Sequence, residues 1–207
     1  LVRSYKTVNS NTLELLKKLM SVDLFHAMRL VGGTALALQY GHRNSIDLDF
    51  FGKLDASDDE ILSVLNQYND LEILKQSDKI KIYKINGIKV DFVSYDYPWL
   101  DNVVCEDGIR LASPKDIGAM KIYAAEGRGS RKDFIDIYYL LKRFSLEELL
   151  SFYKSKYPNH SEFVALRSLT YFSDAETYPM PLMFTDDNWE KMKKEICNAV
   201  ASYAKNQ

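Results

Sequence analysis

The sequence predicts an α/β protein in two parts: an N-terminal domain over 1–111 with a mixed, partly antiparallel sheet, and a helical domain over 112–207. Three observations predict it. Short strand-like runs punctuate the first half, Asn86-Gly87 marks a tight hairpin turn between two of them, and from Ser113-Pro114 onward only helical patterns recur. A chain of 207 residues at 46% hydrophobic and 27% charged has ample material for one large or two small cores.

Taken in order, Leu13, Leu16 and Met20 recur at helical spacing and predict a first helix over 10–20 that packs on the core. A strand follows over 27–31 and ends in Gly32-Gly33. Thr34 then heads a short Ala/Leu-rich helix over 34–40, which it can cap unless its hydroxyl touches phosphate instead, and a loop over 41–45 leads to a strand over 46–51. A helix with an acidic first turn is expected over 58–68, then strands over 71–76, 79–85 and 88–93. After Tyr97-Pro98-Trp99 and a short strand over 109–111, Ser113-Pro114 opens a helix running to about Glu126. Gly127 to Lys132 breaks it. Further helices are expected over 133–143, 145–156 (Ser145 and Glu148 forming a capping box), 161–172 and 188–204.

Composition narrows the function. A net charge of −2 argues against holding nucleic acid by bulk charge and leaves room for a local basic cleft. Cys105 and Cys197 are far apart and lack metal-ligand spacing, and the three histidines form no cluster. No run approaches the ~18 apolar residues of a membrane span, and an apolar signal core is missing from the N-terminus, so a cytoplasmic protein is expected.

Two stretches carry chemistry. Val31-Gly32-Gly33-Thr34 is a strand-to-helix turn whose bare backbone and unpaired N–H groups favour a polyphosphate. In Ile46-Asp47-Leu48-Asp49-Phe50, period-two alternation sends both carboxylates to one face, where like charges call for a cation such as Mg²⁺ or Mn²⁺. A glycine pair is commonly just a turn, and alternating aspartates commonly face solvent. In this order and with this spacing the two together point to metal-dependent phosphate transfer. Asp91, a lone acid in an apolar strand, is the candidate third carboxylate, as metal ligand or as base. Arg43, just ahead of the aspartates, is within reach of a triphosphate, although a loop arginine is more often merely solvated. Lys121, Arg128, Arg131 and Lys132 concentrate positive charge, suited to phosphate or nucleic acid. On composition alone a solvated loop, with Lys132 paired to Asp136, is equally good.

The glycine–hydroxyl turn followed by Asp-x-Asp resembles the nucleotidyltransferase fold of the DNA polymerase beta superfamily. With Met120-Lys121-Ile122-Tyr123-Ala124, Arg128 and Lys132-Asp133-Phe134-Ile135-Asp136, the chain closely resembles the AbiEii/AbiGii toxin family over roughly residues 30–141. The resemblance implies a polymerase beta-like core and a helical domain closing the nucleotide cleft. It assigns the nucleotide and metal site to Gly32, Gly33, Thr34, Asp47, Asp49, Lys121, Asp133 and Asp136. It further implies an NTP substrate, a toxin of a toxin–antitoxin or phage-defence module, tRNA as acceptor, and a cognate antitoxin as partner. Transfer to a protein side chain or small molecule, and nucleotide binding without turnover, are the alternatives.

Overall fold

A computed structural model describes residues 4–206. The chain forms two compact units. One holds the residues up to Asp96 together with Val103–Ala112, and the other holds Tyr97–Asn102 together with the residues from Ser113 on.

The first unit is built on a seven-stranded sheet of order β3-β4-β5-β2-β1-β7-β6. Its strands are β1 (Met28–Leu30), β2 (Leu48–Gly52), β3 (Leu71–Gln76), β4 (Ile80–Ile85), β5 (Ile88–Ser94), β6 (Val104–Glu106) and β7 (Ile109–Leu111). β2 runs parallel to β5 and antiparallel to β1, while β1 is parallel to β7, so the sheet is mixed. Along β2 the apolar Leu48 and Phe50 are fully buried and Asp49 and Phe51 are half-buried, the alternation of a strand with one face in the core. Phe92 of β5 ties that core together, stacked on Phe25 at 4.4 Å and on Phe50 at 5.3 Å between ring centres.

Helix α1 (Ser10–Met20) begins where the Asn9 side chain accepts from the Thr12 N–H, and it buries Leu15, Leu16, Leu19 and Met20. Helix α2 (Gly32–Tyr40) connects β1 to β2 and ends at Gly41 in the left-handed region. It starts two residues earlier than the sequence suggested. Val31 stands at the cap position, and the Thr34 hydroxyl, inside the first turn, is turned away to other partners instead of capping. Helix α3 (Asp58–Leu65) carries a Ser57–Glu60 capping box and stops three residues short of Tyr68, whose N–H closes a turn on the Leu65 carbonyl. Strand β6 is not expected from the sequence. It pairs with β7 across Asp107 and Gly108, both with positive φ. The Arg110 guanidinium donates to the carbonyls of Met20, Phe25 and Met28, pinning β7 to the start of the chain.

The second unit contains α4 (Pro114–Gly127), α5 (Arg131–Leu141), α6 (Leu146–Lys156), α7 (Glu162–Ser168), α8 (Ser173–Glu176) and α9 (Trp189–Lys205). Ser113 caps α4 and Pro114 fills its first turn. The helix expected over 161–172 stops four residues early, at Ser168. After Ser168 the Thr170 hydroxyl bonds the Arg167 carbonyl, a local bond that competes with helix continuation, and the chain restarts as α8. Ala112 is the last residue of the sheet unit before α4, and 97–102 belongs with the helices. Its anchor is a fully buried pair, Lys156 to Asp116 at 2.7 Å. Lys156 also donates to the Pro98 carbonyl and lies over the Trp99 ring, and Asp116 accepts the Leu100 N–H.

Candidate active site

In the sheet unit the glycine turn and the acidic strand meet. Gly32 adopts φ +68°, and a Cβ there would stand 2.5 Å from Asp49 Oδ2, so the carboxylate lies against bare backbone at the start of α2. The Val31 N–H donates to the Asp49 carbonyl at 2.8 Å, locking the turn to β2. The Thr34 hydroxyl bonds Ser45 Oγ and the Asp47 carbonyl, which fixes the main chain two residues ahead of Asp49. Thr34 is 1% exposed, so its hydroxyl shapes the loop that carries Asp47. Arg43 is equally enclosed. Its guanidinium packs on Gly33 and donates to the Asn44 carbonyl, an arrangement that fits a support for the turn better than an arm reaching outward.

Asp91 stands directly opposite Asp49 in the parallel β2–β5 ladder, and paired residues on adjacent strands share a face. Strand spacing sets such neighbours about 4.8 Å apart along the hydrogen-bonding direction. The Asp91 carboxylate is engaged by Lys89, whose ammonium bonds its two oxygens at 2.5 and 2.6 Å. Among the described residues no three His, Cys, Asp or Glu side chains are gathered into a ready cage. What the strands supply is carboxylate oxygen, the donor a hard divalent cation takes, from Asp49 and Asp91 level on one face and from Asp47 just ahead of β2.

In the helical unit Lys121, Arg128, Ser130, Asp133 and Asp136 form one network. Lys121 Nζ lies 2.9 Å from Asp133 and 2.7 Å from Asp136, with both acids fully buried and Lys121 4% exposed. Asp133 also accepts two bonds from the Arg128 guanidinium, at 2.8 and 2.9 Å, and one from Ser130 Oγ at 2.7 Å. Burial by itself would raise the Asp133 pKa, but the Lys121 charge and the Arg128 and Ser130 bonds outweigh it and hold the carboxyl well below the usual range. Arg128 remains 65% exposed on its side chain, so this network presents a guanidinium in a fixed orientation. Arg131 departs from the group. It donates to the Ala175 and Glu176 carbonyls and the Glu176 carboxylate, with Trp189 against it, so its charge ties α5 to α8 and α9. Lys132 is exposed, and Asp136, its imagined partner, is taken by Lys121.

Sequence reasoning passed over Ser45, Lys89 and Ser130. Only Ser130 left a local signal, lying three residues before Asp133 as a capping serine does.

A family model described as "Nucleotidyl transferase AbiEii toxin, Type IV TA system" matches residues 14–203. The chain is 35% identical over 201 residues to "Uncharacterized protein aq_aa25" of Aquifex aeolicus (strain VF5), covering 93% of this chain and 96% of that protein. In solved structures it resembles JHP933 from Helicobacter pylori, with a TM-score of 0.58, 20% identity, and coverage of 96% of this chain and 94% of that one. It also resembles ANT(2")-Ia, solved in complex with adenylyl-2"-tobramycin, with a TM-score of 0.57, 13% identity, and coverage of 74% and 100%. Among the described residues no helix is long and apolar enough to cross a membrane.

Proposed function

The chain belongs to the AbiEii nucleotidyl transferase toxin family, and from that premise we propose that it is the metal-dependent toxin of a toxin–antitoxin or phage-defence module, transferring a nucleotide from an NTP to an acceptor such as tRNA. One observation carries the reading. Asp49 and Asp91 are level on one sheet face, and Asp49 lies against the glycine turn that opens α2. In the reaction an acceptor hydroxyl oxygen bonds the α-phosphorus, the bond from that phosphorus to the bridging oxygen breaks, and pyrophosphate leaves with its electron pair. Mg²⁺ or Mn²⁺ held by Asp47, Asp49 and Asp91 would supply the positive charge that the phosphates and the leaving oxygen need.

The chain's own groups do the rest. Gly32 and Gly33 offer main-chain N–H groups and the positive end of α2 to the polyphosphate. Thr34 and Arg43 hold the turn and the approach to Asp47 in place. Asp91 assists as ligand or as acceptor of the hydroxyl proton. In the helical unit, Arg128 and Lys132 are the phosphate-binding cations. Lys121, enclosed by Asp133 and Asp136, positions Arg128 through Asp133 in place of the direct contact expected from its charge alone. Arg131 keeps a structural role on this reading. A cognate antitoxin protein is the proposed partner.

The rival acceptor is a protein side chain or a small molecule. ANT(2")-Ia is complexed with an adenylylated small molecule, although at 13% identity that likeness reaches this chain as fold alone. The test is transfer of α-labelled ATP, GTP, CTP and UTP to total RNA, protein and small-molecule fractions. We expect label on RNA with Mg²⁺ or Mn²⁺, abolished by chelator and lowered at least ~100-fold by Asp49→Asn, the scale of several kcal/mol that a metal ion supplies. Label confined to protein or small molecules would replace the RNA acceptor, and unchanged transfer by the variant would remove the metal site from Asp49.

A further inference from the structure

Lys89 has no place in the proposed reaction, yet it holds both oxygens of the carboxylate that faces Asp49. We infer that Lys89 is a built-in counter-cation that occupies Asp91 until a divalent metal displaces it, and so sets the metal concentration at which the site loads. This rests on the metal-site reading of Asp47, Asp49 and Asp91 and adds a competitor to it.

The argument begins with the ladder. Two carboxylates directly opposed on adjacent strands repel, and burial makes the repulsion worse by removing water. The Asp91 side chain is only 16% exposed, so water screens it poorly. Lys89 lies two residues earlier on the same strand and therefore on the same face. The β2–β5 ladder begins at Leu48 opposite Val90, so Lys89 of β5 comes just before its first rung and Asp47 is the residue that leads into β2. A four-carbon arm there brings an ammonium onto the acidic face without disturbing β5. Its bonds to both Asp91 oxygens, at 2.5 and 2.6 Å, use the donor atoms that a metal ligand would need. An ammonium and a divalent ion cannot share those oxygens at bonding distance, so loading must release Lys89. The Lys89 side chain is 43% exposed, which leaves it a path to swing aside into solvent.

The measurement is Mn²⁺ affinity by calorimetry on the full chain without nucleotide, beside the melting temperature in chelator. For Lys89→Met we expect Mn²⁺ to bind about tenfold tighter, the scale on which partners of metal ligands alter affinity. The metal-free protein should melt about 3 °C lower, because the facing carboxylates lose their counter-charge. Lys89→Arg should restore the melting temperature. In the double variant Lys89→Met with Asp91→Asn the metal-free melting temperature should recover, since the uncompensated charge is gone, and the gain in Mn²⁺ affinity should vanish. Should Lys89→Met fail to fold, this double variant still decides: recovery of the fold supports the counter-cation, and continued unfolding overturns it. Unchanged or weaker Mn²⁺ binding by folded Lys89→Met, with wild-type binding still sensitive to Asp49→Asn, overturns the placeholder while sparing the metal site. Absence of Mn²⁺ binding to the wild type overturns both.

Discussion

Gly32 meets two demands at one position. Its φ of +68° is one that side chains rarely adopt, and the space where a Cβ would go is filled by Asp49 Oδ2. Gly32→Ala should therefore cost about 1–2 kcal/mol of stability from the left-handed backbone and push Asp49 off its place. We expect a folded variant that has lost nucleotide and Mn²⁺ binding, seen as a normal circular dichroism spectrum with no heat of binding. Unimpaired binding would show that the turn tolerates the shift. The turn and the aspartates were legible in the sequence because their chemistry is written in adjacent residues. The inward packing of Arg43 on Gly33 and the grip of Lys89 on Asp91 were not, since the direction a long side chain takes from a loop or strand leaves no periodic trace. The inward turn of Thr34 was equally hidden, because capping and packing begin from the same hydroxyl residue at a helix start.

Among the elements, the link between 97–102 and helices α4 and α6 depends on one buried charge pair. Removing Lys156 would leave Asp116 charged and fully buried, with the Leu100 N–H and the Ser113 hydroxyl as its remaining donors among the described residues. Breaking such a pair costs about 3–5 kcal/mol. Lys156→Met should lower the urea midpoint accordingly. Lys154→Met, two residues away and 61% exposed in its pair with Glu162, should cost under ~1 kcal/mol. Equal effects from the two variants would contradict the buried pair. Helices α4 and α6 could be read ahead of the structure because Ser113 and Ser145 mark their starts locally, α1 because Leu13, Leu16 and Met20 recur at helical spacing, and α3 because its first turn is acidic. Strand β6 could not, because three residues ending in an Asp-Gly turn carry too little alternation to register, and its pairing with β7 alone defines it.

For the whole molecule, acid is the informative stress. The Asp133 carboxyl is held below its ordinary value, so its ion pairs contribute fully above the unfolded carboxylate pKa of ~3.9 and are lost as pH falls below that. We expect the melting temperature to fall steeply below about pH 4. Asp133→Asn should be destabilised at pH 7 by about 3–5 kcal/mol, with Lys121 left buried beside one acid, and should show a shallower acid limb. A parallel acid limb in the variant would assign the acid sensitivity to other groups. The path of the chain between its two units has one further consequence. The backbone passes from one to the other after Asp96, after Asn102 and after Ala112, so the helical half is not a continuous tail. A fragment beginning at Ser113 would keep Asp116 and Lys156 but lack Pro98, Trp99 and Leu100, which close around them. Recombination between relatives at a single crossover near Ala112 would join a foreign 97–102 to native helices, so viable chimaeras should carry that six-residue passage together with the helices it clasps.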